Sequence, residues 1–460
     1  KNLTFISIFV VYISLPNRLL NNLDCSKNAG PDGVPNLLLR NCAQTFANAI
    51  CDLFNLSINS CTYPHALKDC FVTPIHKSGD PGLITNYRPI SISNSISLVF
   101  ERIVYNQLFP QINDLISNQQ HGFFPGRSTT TNLVLFTDTV ASALDNATQV
   151  DAIYTDFSKA FDKINHERAL VKMSQLGFHT RTTSWFSSFL ANRRSTVVFN
   201  GFRSRSYIQH SGVPQGTILG PLVFSVYIND LPSYLECECL LYADDAKIFK
   251  TIQSTDDCLR LQNDISMLES WCFNNSLEIN VHKCKVISFS RKLCPINFNY
   301  TINNVSITRV SEVKDLGVIF DSKLTFSLHI AFIVSYAFRL VGFIFRICKP
   351  FNNPTSYILL YNSLIRSKLE YACQVWNPFY TTYSEQIESV QRKFTRILLF
   401  RFSNISLEYT ERLAHFNLLS LAKRRIYLDH IFLFKLTNSL LDCPCLFRVL
   451  QQNQNKGLRF

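Results

Sequence analysis

A mixed α/β (α+β) fold is the class that the sequence predicts, with a helical part after the strands. Strand-like and helix-like blocks alternate along the chain up to about Asp321. Beyond that point the apolar residues mostly recur at helical spacing, as at Tyr357, Leu360, Leu364 and Ile365. Of the 460 residues, 47% are hydrophobic, which is enough for a large core. We therefore expect a folded chain of two or three domains.

The first part of the chain begins with an apolar run and continues into turn-rich sequence. The run at residues 4–15 is too short to span a bilayer and is not followed by a small-residue cleavage site, so we predict a buried helix. Residues 27–35 contain two glycines and two prolines, which is typical of a loop. A strand over residues 71–77 then enters a turn at 78–82, and a helix follows that includes residues 98–108.

Three segments of the middle part combine strand-like residues with polar or flexible ones. Residues 151–162 predict a short strand that breaks into a helix, with Asp156 at the end of the strand. Residues 210–221 contain three glycines and two prolines before an apolar helix, so the backbone there is expected to approach another group closely. Residues 239–249 predict a hairpin whose tip carries two adjacent aspartates.

The charge of the chain is basic and unevenly distributed. Its formal net charge is +12, from 45 lysines and arginines against 33 acidic residues. Residues 331–460 contain 17 of the basic residues and only 7 acidic ones. This excess favours a polyanionic partner such as nucleic acid. The alternative is a solvated helical surface.

The cysteines indicate the redox compartment. Fifteen are scattered along the chain without the paired CxxC spacing of a zinc site. Free thiols in a reducing compartment are the simplest explanation. We therefore expect an intracellular protein that is not secreted and has no disulfide-linked partner.

The adjacent Asp244 and Asp245 are the strongest chemical signal. Two neighbouring carboxylates repel each other and resist ionising together. A divalent cation such as magnesium, which prefers hard oxygen ligands, removes that conflict. As isolated patterns, an Asp pair is more commonly a solvated turn, and Asp156 is more commonly a helix N-cap.

Three segments, in this order, resemble motifs A, B and C of reverse transcriptases, and more narrowly those of LINE-type, non-LTR retrotransposons of a jockey-like group. They are DFSKAFD at residues 156–162, SGVPQG at 211–216 and YADD at 242–245. Other segments resemble the N-terminal, fingers, motif D, primer-grip and thumb regions of that family: residues 27–35, 86–91, 277–284, 314–318, 371–378 and 390–394. The resemblance covers nearly the whole chain.

The resemblance implies a right-hand polymerase with fingers, a palm that carries an antiparallel sheet, and a helical thumb. We expect an N-terminal extension leading into the fingers over residues 1–64. The fingers and palm catalytic domain would cover residues 65–320. The basic helical thumb and C-terminal region would cover residues 321–460.

The activity that the resemblance implies is RNA-directed DNA synthesis. The partners would be an RNA template, a DNA primer or target with a 3′-OH, and deoxynucleoside triphosphates. The location would be the nucleus or the cytoplasm, and no membrane partner is expected. The alternative is a truncated or decayed element copy that binds nucleic acid without efficient polymerisation. A membrane-associated or structural protein is a further alternative, suggested by the apolar N-terminal run and the 38 phenylalanines.

By resemblance, the cofactor would be two Mg²⁺ ions, for which Mn²⁺ could substitute. In two-metal sites the ions lie about 3.5–4 Å apart and stabilise the attacking and leaving oxygens. Asp156 and Asp244 would bridge both ions, with Asp245 in support and the backbone carbonyl of Phe157 as a further ligand. Lys283 would donate a proton to the leaving pyrophosphate, although a solvated lysine is the alternative.

The resemblance also assigns residues to the nucleotide substrate. Arg88 would bind the triphosphate, with a loop arginine paired to an acid as the alternative. Phe161 occupies the position of a sugar gate, where its ring would clash with a ribose 2′-OH; a core aromatic is the alternative. Phe124 stands where many relatives carry a basic residue, which leaves Arg127 as the fingers contact. The full predicted set is Arg88, Arg127, Phe157, Phe161, Gln215 and Gly216, the last two lining the incoming nucleotide and the templating base.

Overall fold

In a computed structural model, which describes residues 5–403 and 405–448, the protein has two five-stranded sheets, two two-stranded sheets and a helical C-terminal part. The elements up to the first long strand pair are α1 (Ser14–Asn21), α2 (Asn36–Asn41), α3 (Ala43–Asn59), β1 (Cys70–His76), β2 (Tyr87–Ser93), α4 (Ser95–Ile112), α5 (Thr129–Asp145) and β3 (Gln149–Asp156). The middle of the chain contains α6 (Ala160–Lys163), α7 (His166–Gln175), α8 (Thr180–Leu190), β4 (Arg193–Phe199), β5 (Phe202–Arg203), β6 (Tyr207–Gln209), α9 (Leu219–Tyr227), β7 (Glu238–Tyr242), β8 (Asp245–Ile252) and α10 (Thr255–Asn274).

Six more strands in the described residues complete the alternating part: β9 (Lys285–Phe289), β10 (Thr301–Ile302), β11 (Val305–Ser306), β12 (Thr308–Val310), β13 (Glu312–Asp315) and, as its hairpin partner, β14 (Val318–Asp321). The described elements after Asp321 are helices: α11 (Ser327–Ile347), α12 (Pro354–Leu360), a π-helix (Tyr361–Arg366), α13 (Ser367–Glu370), α14 (Cys373–Trp376), α15 (Thr381–Phe402), α16 (Tyr409–His415) and α17 (Leu421–Thr437). The predicted mixed α/β class with a helical C-terminal part is confirmed.

The central sheet has the strand order β12-β9-β3-β8-β7, with β3 antiparallel to both β8 and β9. It has a hydrophobic core on each face, because successive side chains of a strand point to opposite sides. Ile153 and Ile248 belong to one core, while Ala152 and Phe249 belong to the other. Asp156 is the last residue of β3, where the strand leaves the covered part of the sheet.

The second sheet positions the predicted fingers motif. Its order is β2-β1-β4-β5, with β6 paired to β4. The two strands β1 and β2 are antiparallel over seven residue pairs, from Cys70 opposite Ser93 to His76 opposite Tyr87. This ladder places Arg88 opposite Ile75 at the exposed end of the sheet.

The apolar run near the N-terminus is extended, so the predicted helix over residues 4–15 is wrong for the part that the structure describes. Ile6 forms a parallel bridge with Phe178. The N–H groups of Ser7 and Phe9 donate to the side-chain carbonyls of Gln111 and Gln107, over 3.0 and 2.8 Å. Because the run is rich in β-branched and aromatic residues, an extended backbone with these partners is preferred to a helix. Helix α1 begins only at Ser14.

The buried face of the helices between residues 354 and 370 contains residues at a different spacing from the predicted face, which included Leu360 and Leu364. Tyr357, Tyr361, Ile365 and Leu369 are fully or almost fully buried, whereas Leu364 is 38% exposed. The inward positions recur every fourth residue because the chain passes through the π-helix between α12 and α13.

Helix α11 is long and apolar enough to cross a membrane by length and composition. In the fold it packs against α15 and β14. Its inward face is formed by Ile330, Ile333, Ala337, Val341 and Ile344, which belong to the core that also covers the central sheet.

Candidate active site

The predicted hairpin is present, and its tip carries the aspartate pair. Strands β7 and β8 are antiparallel, with Tyr242 opposite Asp245. Only Ala243 and Asp244 lie between the two strands, and Ala243 takes a left-handed backbone with φ of 55°. A two-residue connection with a positive φ matches the twist of an antiparallel pair. Asp244 is therefore in the turn, and Asp245 is the first residue of β8.

The central sheet brings Asp156 to the same place. Asp156 and Asp245 are direct partners in the ladder between β3 and β8, so their side chains leave the same face of the sheet. Lys283 forms an ion pair with Asp156, with 3.2 Å between Nζ and Oδ2. Asp156, Asp245 and Lys283 all line a cleft of about 420 Å³. The structure thus brings together residues that are far apart in the sequence.

The surroundings of Asp245 affect its ionisation. Partial loss of hydration, and after it the charges of Asp244, Asp315 and Asp156, raise the pKa of Asp245 to about 6. The side chain of Asp245 still reaches solvent at the mouth of the cleft. Partial burial first, and the neighbouring carboxylates second, therefore raise the pKa of Asp245 and favour its protonated form.

The donor set fits a divalent cation. Asp156 and Asp245 offer hard oxygens from adjacent strands. The short ladder with residues 278–280 uses the Asp156 carbonyl and the Ser158 N–H, and does not engage the carbonyl of Phe157. Among the residues that the structure describes, no three His, Cys, Asp or Glu side chains form a ready ligand shell. A cation placed between these carboxylates would lower their mutual repulsion, which the Lys283 ammonium now does for Asp156.

The glycine-rich loop at residues 212–217 is fixed against two other segments. Gln215 Nε2 donates to Oδ1 of Asp162 over 3.0 Å, and the carbonyl of Gln215 accepts from the N–H of Ser91 over 2.6 Å. Gly216 has a φ of +115°, and a Cβ atom there would lie 2.5 Å from the Ser91 carbonyl oxygen. The predicted close approach of backbone is therefore confirmed at Gly216. Asp162, for which the sequence predicts only a helix-surface or packing position, is a partner of Gln215 that sequence reasoning missed.

Phe161 lies between the glycine-rich loop and the palm core. Its ring stacks on Phe224 with 4.3 Å between centroids and an interplanar angle of 14°. Its carbonyl accepts a hydrogen bond from the N–H of Val213 over 2.8 Å. The side chain is partly exposed.

Comparison with known sequences decides the family. The family described as "Reverse transcriptase (RNA-dependent DNA polymerase)" matches residues 75–320, which is more than half of the chain. The chain belongs to the reverse transcriptase family. The family's right-hand polymerase fold, which the resemblance implied, is thereby confirmed.

Named relatives narrow the group of reverse transcriptases. The "Probable RNA-directed DNA polymerase from transposon BS" of Drosophila melanogaster is 29% identical over 324 residues, covering 68% of this chain and 36% of that protein. The "RNA-directed DNA polymerase from mobile element jockey" of the same fly is 28% identical over 395 residues, covering 82% and 43%. The corresponding X-element protein is 26% identical over 387 residues, covering 81% and 42%. The resemblance to LINE-type, jockey-like enzymes is confirmed, and the chain spans less than half the length of these relatives.

Arg88 of this reverse transcriptase is exposed on β2. Within residues 5–403 and 405–448, the ion pairs do not include Arg88. The alternative of a loop arginine paired to a nearby acid is therefore not what the structure shows. Three residues further along the same strand, Ser91 contacts Gln215 and Gly216. The triphosphate role of Arg88 stays a prediction.

Arg127 is buried and does not line the cleft, so its predicted substrate contact is corrected. The side chain is 2% exposed and forms an ion pair with Asp442, with 2.7 Å between Nε and Oδ2. Its Nη1 donates to the carbonyls of Ser117 and Gln120, over 2.7 and 2.8 Å. A guanidinium that is 2% exposed and has these partners stabilises its own loop and offers little surface to a phosphate.

A buried ion pair next to the carboxylates was missed by sequence reasoning. Lys247 lies two residues after Asp245 on the same face of β8, and its Nζ is 2.5 Å from Oδ2 of Asp315 in the β13–β14 hairpin. Both side chains are below 10% exposure. The signal in the sequence was a lysine between the apolar residues Ala246 and Ile248 of a strand. The pair links the predicted primer-grip hairpin to the aspartate hairpin.

Replacing Asp245 by Asn is expected to raise the melting temperature of the metal-free protein at pH 7.5. The raised folded-state pKa means that the folded chain binds more protons than the unfolded chain between about pH 4 and 6, so stability falls as pH rises through that window. Asn removes this unfavourable charge. Thermal unfolding in EDTA at pH 7.5 and pH 4 would check it, with no difference expected at pH 4. Added Mg²⁺ should stabilise the wild type more than the variant, and a lower melting temperature of the variant at pH 7.5 in EDTA would contradict the prediction.

Proposed function

We propose that this chain is an RNA-directed DNA polymerase of a non-LTR retrotransposon, which adds deoxynucleotides to a DNA 3′-OH on an RNA template. The observation that carries the proposal is the position of Asp156 opposite Asp245, beside the hairpin tip with Asp244. Asp156 of motif A and Asp245 of motif C line one cleft, and Asp244 lies in the adjoining turn. Together these carboxylates would supply the charge that two-metal nucleotidyl transfer needs.

Different residues of the cleft would have different roles in this reaction. Asp156, Asp244 and Asp245 would hold two Mg²⁺ ions, or Mn²⁺ as a substitute, with the carbonyl of Phe157 as a further ligand. When bound, these ions would activate the 3′-OH and neutralise charge on the leaving pyrophosphate. Lys283 carries its proton on Nζ at the edge of the same cleft, where it can donate to a leaving oxygen. The predicted ranking of Asp244 above Asp245 as the bridging ligand stays a prediction.

The substrate would lie between the cleft and the second sheet. The cleft wall also carries Lys285 and Lys314, which add positive charge for phosphates. Arg88 is exposed on β2. The loop that contains Gln215 and Gly216 is hydrogen-bonded to the same strand at Ser91. These positions support an incoming nucleotide bound by Arg88 at its phosphates and by the loop at its base.

The remaining assignments follow from this activity. The N-terminal extension over residues 1–64, the fingers and palm over 65–320 and the basic thumb over 321–460 are proposed as the functional divisions. The excess of basic residues after residue 331 supports contact of the helical part with a nucleic-acid backbone. The nucleus or the cytoplasm is the proposed location.

Primer extension on an RNA template tests the proposal. A labelled DNA primer, an RNA template, deoxynucleoside triphosphates and Mg²⁺ should give full-length product, and EDTA should abolish it. A titration with Mn²⁺ would show whether that ion substitutes. If protein with native circular dichroism gives no product with either metal, the alternative of a decayed copy that only binds nucleic acid is correct.

Phe161→Ala is expected to admit ribonucleotides. The ring lies at the edge of the glycine-rich loop and is held by its stack on Phe224, so its removal opens the space that a 2′-OH would occupy. Incorporation of a single ribonucleotide, relative to the matching deoxynucleotide, should rise about 10-fold or more, as expected for relief of one steric clash. Phe273→Ala is a matched control because that ring is 86% exposed on α10. Unchanged sugar selectivity in the Phe161 variant would remove the gate role.

A further inference from the structure

Phe123 places a second aromatic ring beside Phe161. The two ring centroids are 5.8 Å apart and the rings are T-shaped, at 86°. Phe161 therefore has Phe224 stacked on its face and Phe123 as a perpendicular neighbour. Despite its size, the side chain of Phe123 is 45% exposed. Hydrophobic packing alone does not explain a large ring that remains open to solvent at this point.

The backbone around Phe123 is held by the hairpin that carries the aspartates. The side-chain carbonyl of Gln120 accepts hydrogen bonds from the N–H of Gly122 over 2.8 Å and from the N–H of Ala243 over 3.2 Å. A Cβ atom on Gly122 would lie 2.4 Å from the nitrogen of Ala243. The loop is thus in backbone contact with the turn between β7 and β8, and it cannot move without moving that turn.

The residues that follow Phe123 are held by contacts with the interior of the protein. Phe124 is 5% exposed and packs against Phe109 at 5.6 Å between centroids. Arg127 donates from within the fold to the carbonyl of Gln120. Because Phe124 already supplies the core contact of this segment, Phe123 is left to face the open side.

The conformation of Phe123 is itself unusual. Its φ is 66°, in the left-handed region that bulky residues seldom adopt. Such a conformation is unfavourable and persists only where the surroundings hold it. Here the contacts of Gly122 and Phe124 on either side hold it, and the result is that the Phe123 ring is directed at Phe161.

We infer that Phe123 is a positioning residue for sugar selection: it fixes the ring of Phe161 at the angle that excludes a ribose 2′-OH. The inference rests on the proposed function and extends it to a residue outside motifs A, B and C. With Phe224 on its face and Phe123 at its side, the Phe161 ring cannot swing away from an incoming nucleotide. Without Phe123 the ring gains a second orientation, and a ribonucleotide can enter.

Single-nucleotide incorporation by variants of the whole chain tests the inference. Phe123→Ala should lower the ratio of kcat/KM for a deoxynucleotide to that for the matching ribonucleotide by about 3- to 10-fold, the range of one lost aromatic pair. The change should appear as a lower KM for the ribonucleotide. Phe123→Asn should give the same result. Asn tolerates a positive φ, so this substitution removes the ring while the backbone keeps its conformation. Phe123→Tyr keeps the ring and should restore the wild-type ratio.

A double variant distinguishes positioning from direct contact. If Phe123 acts through Phe161, the Phe123→Ala/Phe161→Ala protein should discriminate as Phe161→Ala alone does. A further additive loss would overturn the positioning role. Selectivity that stays at the wild-type ratio in both Phe123→Ala and Phe123→Asn, while Phe161→Ala loses it, would overturn the inference and leave the proposed function intact. Wild-type protein that does not extend a primer would overturn the proposed function, and the inference with it.

Discussion

Asp156→Asn and Asp244→Asn are each expected to lower the rate of primer extension by at least about 10²–10³-fold, the scale of losing one preorganised charge at the reacting centre. Each change would replace a proposed carboxylate ligand by a neutral amide of the same size. The affinity for the divalent cation and the charge at the 3′-OH are therefore both affected. Single-turnover extension at saturating nucleotide and Mg²⁺ would measure the loss.

The same variants provide their own test of folding. Asp244→Asn removes one of several carboxylates that repel each other and should not lower the melting temperature in EDTA. Asp156→Asn also removes the exposed ion pair with Lys283, which is worth about 1 kcal/mol or less, so unfolding would not explain the lost activity of either variant. Asp256→Asn is a matched control, because Asp256 is exposed in the first turn of α10 and outside the cleft. Full activity of Asp244→Asn would show that the two-ion assignment is wrong. If Asp245→Asn loses less activity than Asp244→Asn, the predicted ranking of the pair is correct.

The parts of the site that could be predicted are those encoded by neighbouring residues. Apolar residues on both sides of the aspartate pair indicate two strands, and the short polar tip between them indicates a turn. The end of β3 at Asp156 is marked in the same way. The register that sets Asp156 opposite Asp245 could not be predicted, because it depends on the pairing of strands that are separated by several helices.

The wrong predictions concern residues whose partners are distant in the sequence. Arg127 is bound by Asp442, which is 315 positions away, so nothing near Arg127 indicates a buried ion pair. The extended N-terminal run depends on Phe178 and on the side chains of Gln107 and Gln111. In each case a tertiary contact outweighs the local pattern. The domain limits and the identity of the metal are not tested by the fold and stay predictions.

Lys247 shows that a distant partner can still leave a local signal. A lysine in a strand that is buried on both faces needs a counter-charge, because an unpaired buried ammonium is costly. Burial lowers the pKa of Lys247, although Asp315 and Asp245 oppose that shift. Its ammonium also lies 4.6 Å from the centre of the Phe136 ring. The lysine therefore predicts a buried acid, which the structure identifies as Asp315.

Lys247→Met is expected to lower the free energy of unfolding by about 3–5 kcal/mol, the usual result of removing one partner from a buried ion pair. Methionine keeps much of the volume of the lysine, so the cost comes mainly from Asp315, which is 7% exposed and loses its counter-ion. Urea unfolding of the metal-free protein would measure it. The Lys247→Met/Asp315→Asn double variant should be more stable than Lys247→Met alone, because the uncompensated charge is gone.

A surface ion pair serves as the control for the effect of burial on the stability contribution of the Lys247–Asp315 pair. Lys163 is paired with Glu278 at the surface, where the two side chains are 29% and 71% exposed. Lys163→Met should therefore cost about 1 kcal/mol or less. Equal losses of unfolding free energy in the two variants would mean that Asp315 becomes hydrated when Lys247 is absent. The ion pair between the β13–β14 hairpin and the aspartate hairpin would then not be a main source of stability. A much larger loss at Lys247 would show that the two hairpins are held together by this one buried pair.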